Sequence, residues 1–150
     1  MAGWDRPRPR GSVKVAGQPK PRQMRNPVET PRVLIVEDEP LIAMLVQEWL
    51  EELGYDVIGP AASVSGALDL IACVELDGAV LDVSLGKEES FPIADELKRR
   101  GVPFAFATGY GVEGLEGRFA GAHVLAKPFQ QQVFRDLISK LLGARSPRTG

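Results

Sequence analysis

Four groups of polar residues in this sequence each follow directly on a short apolar run. Glu37-Asp38 follows the first run, Asp82 the third, Thr108 the fourth and Lys127 the fifth. Taken singly, each has an ordinary explanation in helix capping or turn formation. If the runs are parallel strands, however, their carboxyl ends share one edge of a sheet, which is where such sheets bind ligands. The combination therefore predicts a functional site.

Three carboxylates at one sheet edge would carry an excess of negative charge. Glu37, Asp38 and Asp82 would raise one another's pKa unless a cation neutralised them. Lys127 alone cannot balance them, and an oxygen-only site of this kind suits Mg²⁺, which also binds phosphate oxygens. We therefore expect phosphoryl chemistry, with Asp82 as in-line nucleophile and Lys127 and Thr108 on the phosphoryl oxygens.

Short apolar runs alternate with amphipathic segments from Arg32 to Leu142. The runs predict strands at 33–36, 56–59, 78–81, 104–107 and 123–126. The segments between them predict helices that begin near Pro40, Ser63 and Phe91, followed by a last helix after the fifth strand. This alternation predicts an α/β fold, a three-layer sandwich with a five-stranded parallel sheet.

The first and last helices are predicted to pack on the sheet through wide apolar stripes. The first stripe comprises Leu41, Ile42, Leu45, Val46, Trp49, Leu50 and Leu53, and the last comprises Val133, Phe134, Leu137, Ile138, Leu141 and Leu142. Between Thr108 and His123 the chain has glycine at positions 109, 111, 114, 117 and 121. Because glycine disfavours helix interiors, the fourth helix is predicted to be short or mobile.

The composition is that of one globular domain, with 44% hydrophobic and 25% charged residues among 150. A net charge of −2 gives no global signature for a nucleic acid or membrane partner, and neither is expected. One cysteine and one histidine exclude disulfide frameworks, zinc ribbons and Cys/His catalytic pairs. With no apolar stretch near the roughly 20 residues of a membrane span and no secretory signal, we expect a cytoplasmic protein.

Residues 1–31 have a different composition from the rest of the chain. They contain the basic residues Arg6, Arg8, Arg10, Lys14, Lys20, Arg22 and Arg25, together with six prolines. We predict a disordered basic, proline-rich tail here, the folded domain at 32–142, and a flexible tail at 143–150. The basic residues fit either a solvated tail, including one whose true start is Met24, or an arm that binds nucleic acid or acidic partners.

From Arg32 to Leu142 the residues resemble the receiver domains of two-component response regulators. The acidic pair lies in Val-Glu-Asp-Glu, Asp82 in Ala-Val-Leu-Asp-Val-Ser-Leu, and Lys127 in Leu-Ala-Lys-Pro-Phe. Thr108 corresponds to the family's switch hydroxyl. Residues 103–110, Pro-Phe-Ala-Phe-Ala-Thr-Gly-Tyr, are similar to the motif of the FAT GUY subgroup, which consists mostly of single-domain regulators.

This resemblance implies a flavodoxin-like, CheY-like fold with sheet order 2-1-3-4-5. It implies that Asp38 and Asp82 bind Mg²⁺ directly, that Glu37 acts through water, and that the Ser84 carbonyl completes the protein ligands. It also implies a cis bond before Pro128.

The resemblance further implies the role of a phosphorelay protein. A histidine kinase or histidine phosphotransfer protein would pass a phosphoryl group to Asp82, and altered protein association would carry the signal to an unidentified downstream protein. Such a protein is not an enzyme beyond its own phosphotransfer and autodephosphorylation. The phosphoryl lifetime is open, because Ser84 stands where asparagine is common. Val124 replaces the aromatic that many receivers use for switching, so Tyr110 and the glycine-rich segment are candidate substitutes.

Two other functions compete with this one. Phosphatases of the haloacid dehalogenase type also use an aspartate nucleophile with Mg²⁺, but they need a second aspartate where this chain has Ser84. A degenerate receiver that serves only as a binding scaffold is expected to have lost some of the site residues. Asp38, Asp82, Thr108 and Lys127 are all present here.

Overall fold

A computed structural model describes residues 30–110, 115, 117–119 and 121–142 of the chain. Its strands are β1 (Arg32–Val36), β2 (Asp56–Ala61), β3 (Gly78–Asp82), β4 (Ser84–Leu85), β5 (Glu88–Glu89), β6 (Phe104–Thr108) and β7 (His123–Ala126). Its helices are α1 (Pro40–Glu52), α2 (Val64–Cys73), α3 (Phe91–Arg99) and α4 (Gln131–Leu141). In this part of the chain, no helix is long and apolar enough to cross a membrane.

Five strands form one parallel sheet in the order β2-β1-β3-β6-β7. Counted along the chain within this sheet, the order is 2-1-3-4-5, so the predicted topology is confirmed. Strands β4 and β5 form a separate antiparallel hairpin of two residues per strand, which the sequence did not predict.

The sheet separates two apolar cores, and alternate residues of each strand point into opposite ones. Leu34 and Val36 of β1 pack in the core that includes residues of α2 and α3, whereas Val33 and Ile35 pack in the core of α1 and α4. Ser63 caps α2 as predicted, and its hydroxyl accepts a hydrogen bond of 3.1 Å from the Gly66 N–H. The three-layer arrangement with helices on both faces is therefore confirmed.

The predicted apolar stripes of the first and last helices are too wide. In α1 the sheet covers Val46 and Leu50, but Leu41 is 78% exposed and Leu45 is 42% exposed. In α4 Phe134 is buried, whereas Val133 is 52% exposed. A helix lying on a flat sheet buries only one stripe of its surface, so apolar residues at the flanks of that stripe face solvent.

Three predicted segments lie wholly or largely outside the described residues. They are residues 1–29 of the predicted amino-terminal tail, the tail at 143–150, and much of the segment predicted as a short or mobile fourth helix. Within the latter, Leu115 is buried and Phe119 packs against Phe91 and Phe106, with ring centroids 5.7 and 5.4 Å apart.

Gly59 of β2 stands where a larger residue would be strained and crowded. Its φ is +96°, and an added Cβ would lie 2.9 Å from both the Ala61 nitrogen and the Ile35 carbonyl oxygen. We expect Gly59→Ala to lower the free energy of unfolding by about 3 kcal/mol, from backbone strain plus overpacking. Gly101→Ala is the matched control, since Gly101 also has a positive φ of +74° but no atom within 4 Å of the added Cβ.

Urea denaturation of both variants measures the difference. The control should lose about 1 kcal/mol from backbone strain alone. Equal losses of unfolding free energy in the two variants would show that the close contacts of the added Cβ at Gly59 do not contribute.

Candidate functional site

The ends of four strands bring the predicted site residues to one edge of the sheet. Glu37 follows β1, Asp82 ends β3, Thr108 ends β6, and Lys127 follows β7. Backbone hydrogen bonds hold these ends side by side. The Val83 N–H donates to the Ala107 carbonyl at 3.0 Å, and the Lys127 N–H donates to the Thr108 carbonyl at 2.8 Å.

Lys127 connects the carboxylates of the first and third strands. Its Nζ lies 3.1 Å from Asp82 Oδ2 and 3.2 Å from Glu37 Oε1. The Glu37 and Asp82 side chains are 5% and 9% exposed, and that of Lys127 is 18% exposed. Glu39, a carboxylate that the sequence analysis did not single out, approaches the same ammonium at 4.0 Å.

Burial and charge shift the pKa of both partners at this edge. Burial, followed by the hydrogen bond and negative charge of Asp82, raises the pKa of Glu37 to about 7, against the opposing effects of the Glu39 backbone N–H and of Lys127. Burial lowers the pKa of the Lys127 ammonium, but its hydrogen bonds and attraction to Asp82 and Glu37 outweigh this, so its pKa lies above the usual value of 10.5. The edge therefore holds more negative charge than Lys127 can balance.

The three carboxylates predicted to hold the metal lie close enough to share a cation. One carboxylate oxygen each from Glu37, Asp38 and Asp82 can be chosen so that all lie within 4.8 Å of one another. Opposite ligands of an octahedral Mg²⁺ are about 4.2 Å apart, so two carboxylates can bind directly and the third through a water molecule. Three carboxylates and one lysine leave a formal charge of −2, which a divalent cation neutralises. The donor set and its charge therefore fit Mg²⁺.

Thr108 is positioned to donate a hydrogen bond at the same edge. It is 3% exposed, and its Oγ1 accepts a hydrogen bond of 3.0 Å from the Tyr110 N–H. The hydroxyl proton remains available to an acceptor, because no described residue accepts it. The Tyr110 side chain itself is 80% exposed.

The β4–β5 hairpin forms one wall of the site. Ser84 begins β4, two residues after Asp82, and the turn at Gly86 passes near Asp38, because a Cβ on Gly86 would lie 3.9 Å from Asp38 Oδ2. Gly86 has a φ of +69°, which favours glycine. The hairpin was not predicted, although Gly86, two residues before Glu88, is a residue typical of turns.

The predicted cis peptide bond between Lys127 and Pro128 is present, and a second one precedes Pro60. Val124 stands at the position where many receiver domains have a switching aromatic residue. It pairs with Phe106 of β6 and is partly buried against the core.

The fold and this edge define an α/β domain of flavodoxin-like topology that carries a carboxylate-rich, lysine-bridged site at the carboxyl ends of its strands. The model of the response regulator receiver domain matches residues 33–139, and the chain belongs to this family. The predicted resemblance is therefore confirmed, and the protein is a receiver domain of the kind used in phosphorelay signalling.

Similar proteins include regulators with the same domain. The chain is 38% identical over 114 residues to the phyllosphere-induced regulator PhyR of Methylorubrum extorquens, a match that covers 73% of this chain and 43% of PhyR. The chain thus spans half or less of the length of the first curated relatives that it matches.

Solved structures are similar over nearly their whole length. SdrG of Sphingomonas melonis Fr1 is 41% identical with a TM-score of 0.68, and the match covers 76% of this chain and 98% of SdrG. The BeF3-activated conformation of SdrG, described from Pseudomonas melonis Fr1, is 42% identical with a TM-score of 0.65, covering 75% and 96%.

Proposed function

We propose that this protein is a single-domain response regulator of a phosphorelay, phosphorylated on Asp82 with Mg²⁺ bound at the acidic edge. The observation that carries the proposal is the position of Lys127 between Asp82 and Glu37, which leaves an uncompensated charge of −2 beside a buried carboxylate. We place the receiver domain at 32–142, between the tails 1–31 and 143–150, in a cytoplasmic protein with no membrane or nucleic-acid partner.

The site residues would act on the phosphoryl group as follows. An Asp82 carboxylate oxygen attacks the phosphorus of a phosphohistidine, the P–O bond forms, and the P–N bond to the imidazole breaks. Lys127 and the Thr108 hydroxyl bind phosphoryl oxygens, which stabilises the charge of the transition state. Hydrolysis by water later returns Asp82 to a carboxylate and releases inorganic phosphate.

Four groups would hold the metal. Asp38 and Asp82 would bind it directly, the Ser84 carbonyl would complete the protein ligands, and Glu37 would act through a water molecule. When bound, Mg²⁺ neutralises the phosphoryl oxygens and the carboxylates together.

An apolar surface beside the site fits a protein donor. Leu41, Met44 and Leu45 at the start of α1 are exposed, and a hollow of about 350 Å³ next to them is lined by Ile42, Leu45, Lys127, Pro128 and Phe129. Exposed apolar patches of this kind mark protein interfaces. We propose that the histidine-bearing helix of a kinase or phosphotransfer protein docks here and brings its phosphohistidine to Asp82.

The output would be a change in protein association. A phosphoryl group on Asp82 offers oxygen acceptors to the Thr108 hydroxyl, whose Oγ1 is already bonded to the Tyr110 N–H. Tyr110 is exposed and lies next to the site, so it is our candidate for contact with an unidentified downstream protein.

Incubation with Mg²⁺ and acetyl phosphate, followed by intact-mass measurement, tests this function. The wild type should gain one phosphate, and Asp82→Asn should gain none. Asp69→Asn is the matched control, because Asp69 is an exposed aspartate of α2, and it should be labelled like the wild type. Addition of EDTA should abolish labelling. The proposal fails if the wild type stays unlabelled while another receiver is labelled, or if Asp82→Asn is labelled equally.

A further inference from the structure

The outer surface of α1 is one continuous stripe with two chemically different halves. All of its residues are exposed, and each lies three or four positions from another member of the stripe: Leu41, Met44, Leu45, Glu48, Glu51 and Glu52. Residues at such spacings share one face of a helix. The first half is apolar and the second half is acidic.

The acidic half has no cationic partner among the described residues. The Gln47 side-chain amide donates to Glu51 at 3.2 Å, and the Gln131 amide donates to Glu52 at 2.9 Å. The last turn of α1 has no basic residue. Because this turn is also the negative end of the helix dipole, its carboxylates create an unfavourable concentration of negative charge.

The amino-terminal segment enters the domain beside this acidic half. The Asp56 N–H donates to the Pro31 carbonyl at 2.9 Å, and Asp56 lies four residues after the end of α1. Asp56 is itself exposed and acidic. The chain preceding Thr30 therefore starts where the negative charge of α1 is concentrated.

The segment that precedes Thr30 has the opposite charge. Residues 1–29 contain seven basic and two acidic side chains, a net charge of +5, so with −2 for the whole chain residues 30–150 carry −7. Lys20, Arg22 and Arg25 are the basic residues nearest to the domain. Ten extended residues span up to about 33 Å, whereas the 13 residues of α1 span about 20 Å, so residues 20–29 can reach along the whole helix.

We propose that residues 20–29 dock along the outer stripe of α1, with Arg25 and Arg22 against Glu48, Glu51 and Glu52. Attachment to the same chain gives the segment a high effective concentration at this face, so weak surface ion pairs suffice to populate the contact. The occupied stripe includes the apolar residues to which we assign the phosphohistidine donor. The segment would therefore compete with the donor for α1, a consequence that rests on the proposed function.

Paramagnetic relaxation measures the contact without any phosphorylation step. A nitroxide is attached at Gln23→Cys in a Cys73→Ser background, since Cys73 is exposed and would also react. We expect broadening of the α1 amide signals at low salt, and loss of that broadening at about 0.5 M salt, where charges are screened within a few ångströms. Amides of α2 and α3 should be broadened less.

Two charge reversals identify the partners of the contact. Arg22→Glu/Arg25→Glu and, separately, Glu48→Lys/Glu51→Lys/Glu52→Lys should each abolish the broadening, and combining them should restore it. Asp69→Lys/Glu89→Lys/Asp136→Lys makes the same charge change at exposed positions outside the stripe and should leave the broadening intact. Uniform broadening of all helices, or equal loss in the control, would overturn the proposal.

Labelling by acetyl phosphate separates the two proposals. This small donor needs no helix surface, so the wild type and Arg22→Glu/Arg25→Glu should be labelled at equal rates. Normal labelling without α1 broadening would refute the docking alone. Broadening in a chain that cannot be labelled would refute the phosphorelay function alone.

Discussion

Lys127→Met is expected to destabilise the metal-free protein by about 3 kcal/mol at pH 8, because it leaves the carboxylates of Asp82 and Glu37 without their shared cation. Methionine retains the apolar stem of lysine, so the loss reflects charge rather than a cavity. At pH 5 the loss should be smaller, since Glu37, whose pKa is already raised to about 7, then carries a proton. Saturating Mg²⁺ should also reduce it, by neutralising the same carboxylates.

Urea denaturation at pH 5 and pH 8, with EDTA or with Mg²⁺, measures these differences. Lys140→Met is the matched control, because Lys140 is exposed in the last turn of α4. It should change the free energy of unfolding by less than about 0.5 kcal/mol at either pH. A loss for Lys127→Met that is the same at both pH values and unaffected by Mg²⁺ would contradict the electrostatic explanation.

Glu37→Gln is expected to have the opposite effect and to stabilise the metal-free protein by about 2 kcal/mol at pH 8. The folded pKa of Glu37 is about 7 and its ordinary value is 4.5, so between these values the folded state binds more protons than the unfolded state. The wild type therefore loses stability as pH rises through this window, and the full penalty remains above pH 7. Glutamine carries no charge and avoids the penalty while its oxygen can still accept from Lys127.

Urea unfolding of both proteins between pH 4 and pH 8, in EDTA, gives the free energy of unfolding as a function of pH. The values for the two proteins should diverge progressively above pH 4.5. Glu89→Gln serves as the control, because Glu89 is an exposed glutamate of β5, and its free energy of unfolding should differ from that of the wild type by the same small amount at every pH in this window. If the gain for Glu37→Gln is constant from pH 4 to pH 8, charge at this position does not cause it.

The fold could be predicted closely because its signals are local. Short apolar runs such as residues 33–36 indicate strands buried on both faces, because they are too short for a helix, and capping by Ser63 fixes the start of α2. The β4–β5 hairpin was not predicted, because two-residue strands leave no periodic pattern. The exposure of Leu41 was missed for a different reason: how much of a helix the sheet covers depends on the packing of neighbouring elements, not on the helix sequence.

The convergence of the site residues followed from the fold, since strand order alone brings Glu37, Asp82 and Lys127 to one edge. Their individual contacts did not. The sequence does not indicate whether Lys127 bridges Glu37 and Asp82 or pairs with only one of them. The approach of Glu39 to Lys127 likewise depends on side-chain geometry. The acidic residues of α1 can be recognised from the sequence. Their position beside the start of the basic segment could not be predicted, because it depends on the pairing of β1 with β2.

The order of the strands along the chain also sets the order in which the charged residues of the site are synthesised. Strand β1 lies between β2 and β3, so the first three strands can form a contiguous unit before β6 and β7 leave the ribosome. That unit already contains Glu37, Asp38 and Asp82, whereas Lys127 comes after the last strand. The carboxylates of the site are therefore synthesised before Lys127, and electrostatic attraction between them favours addition of the final strand.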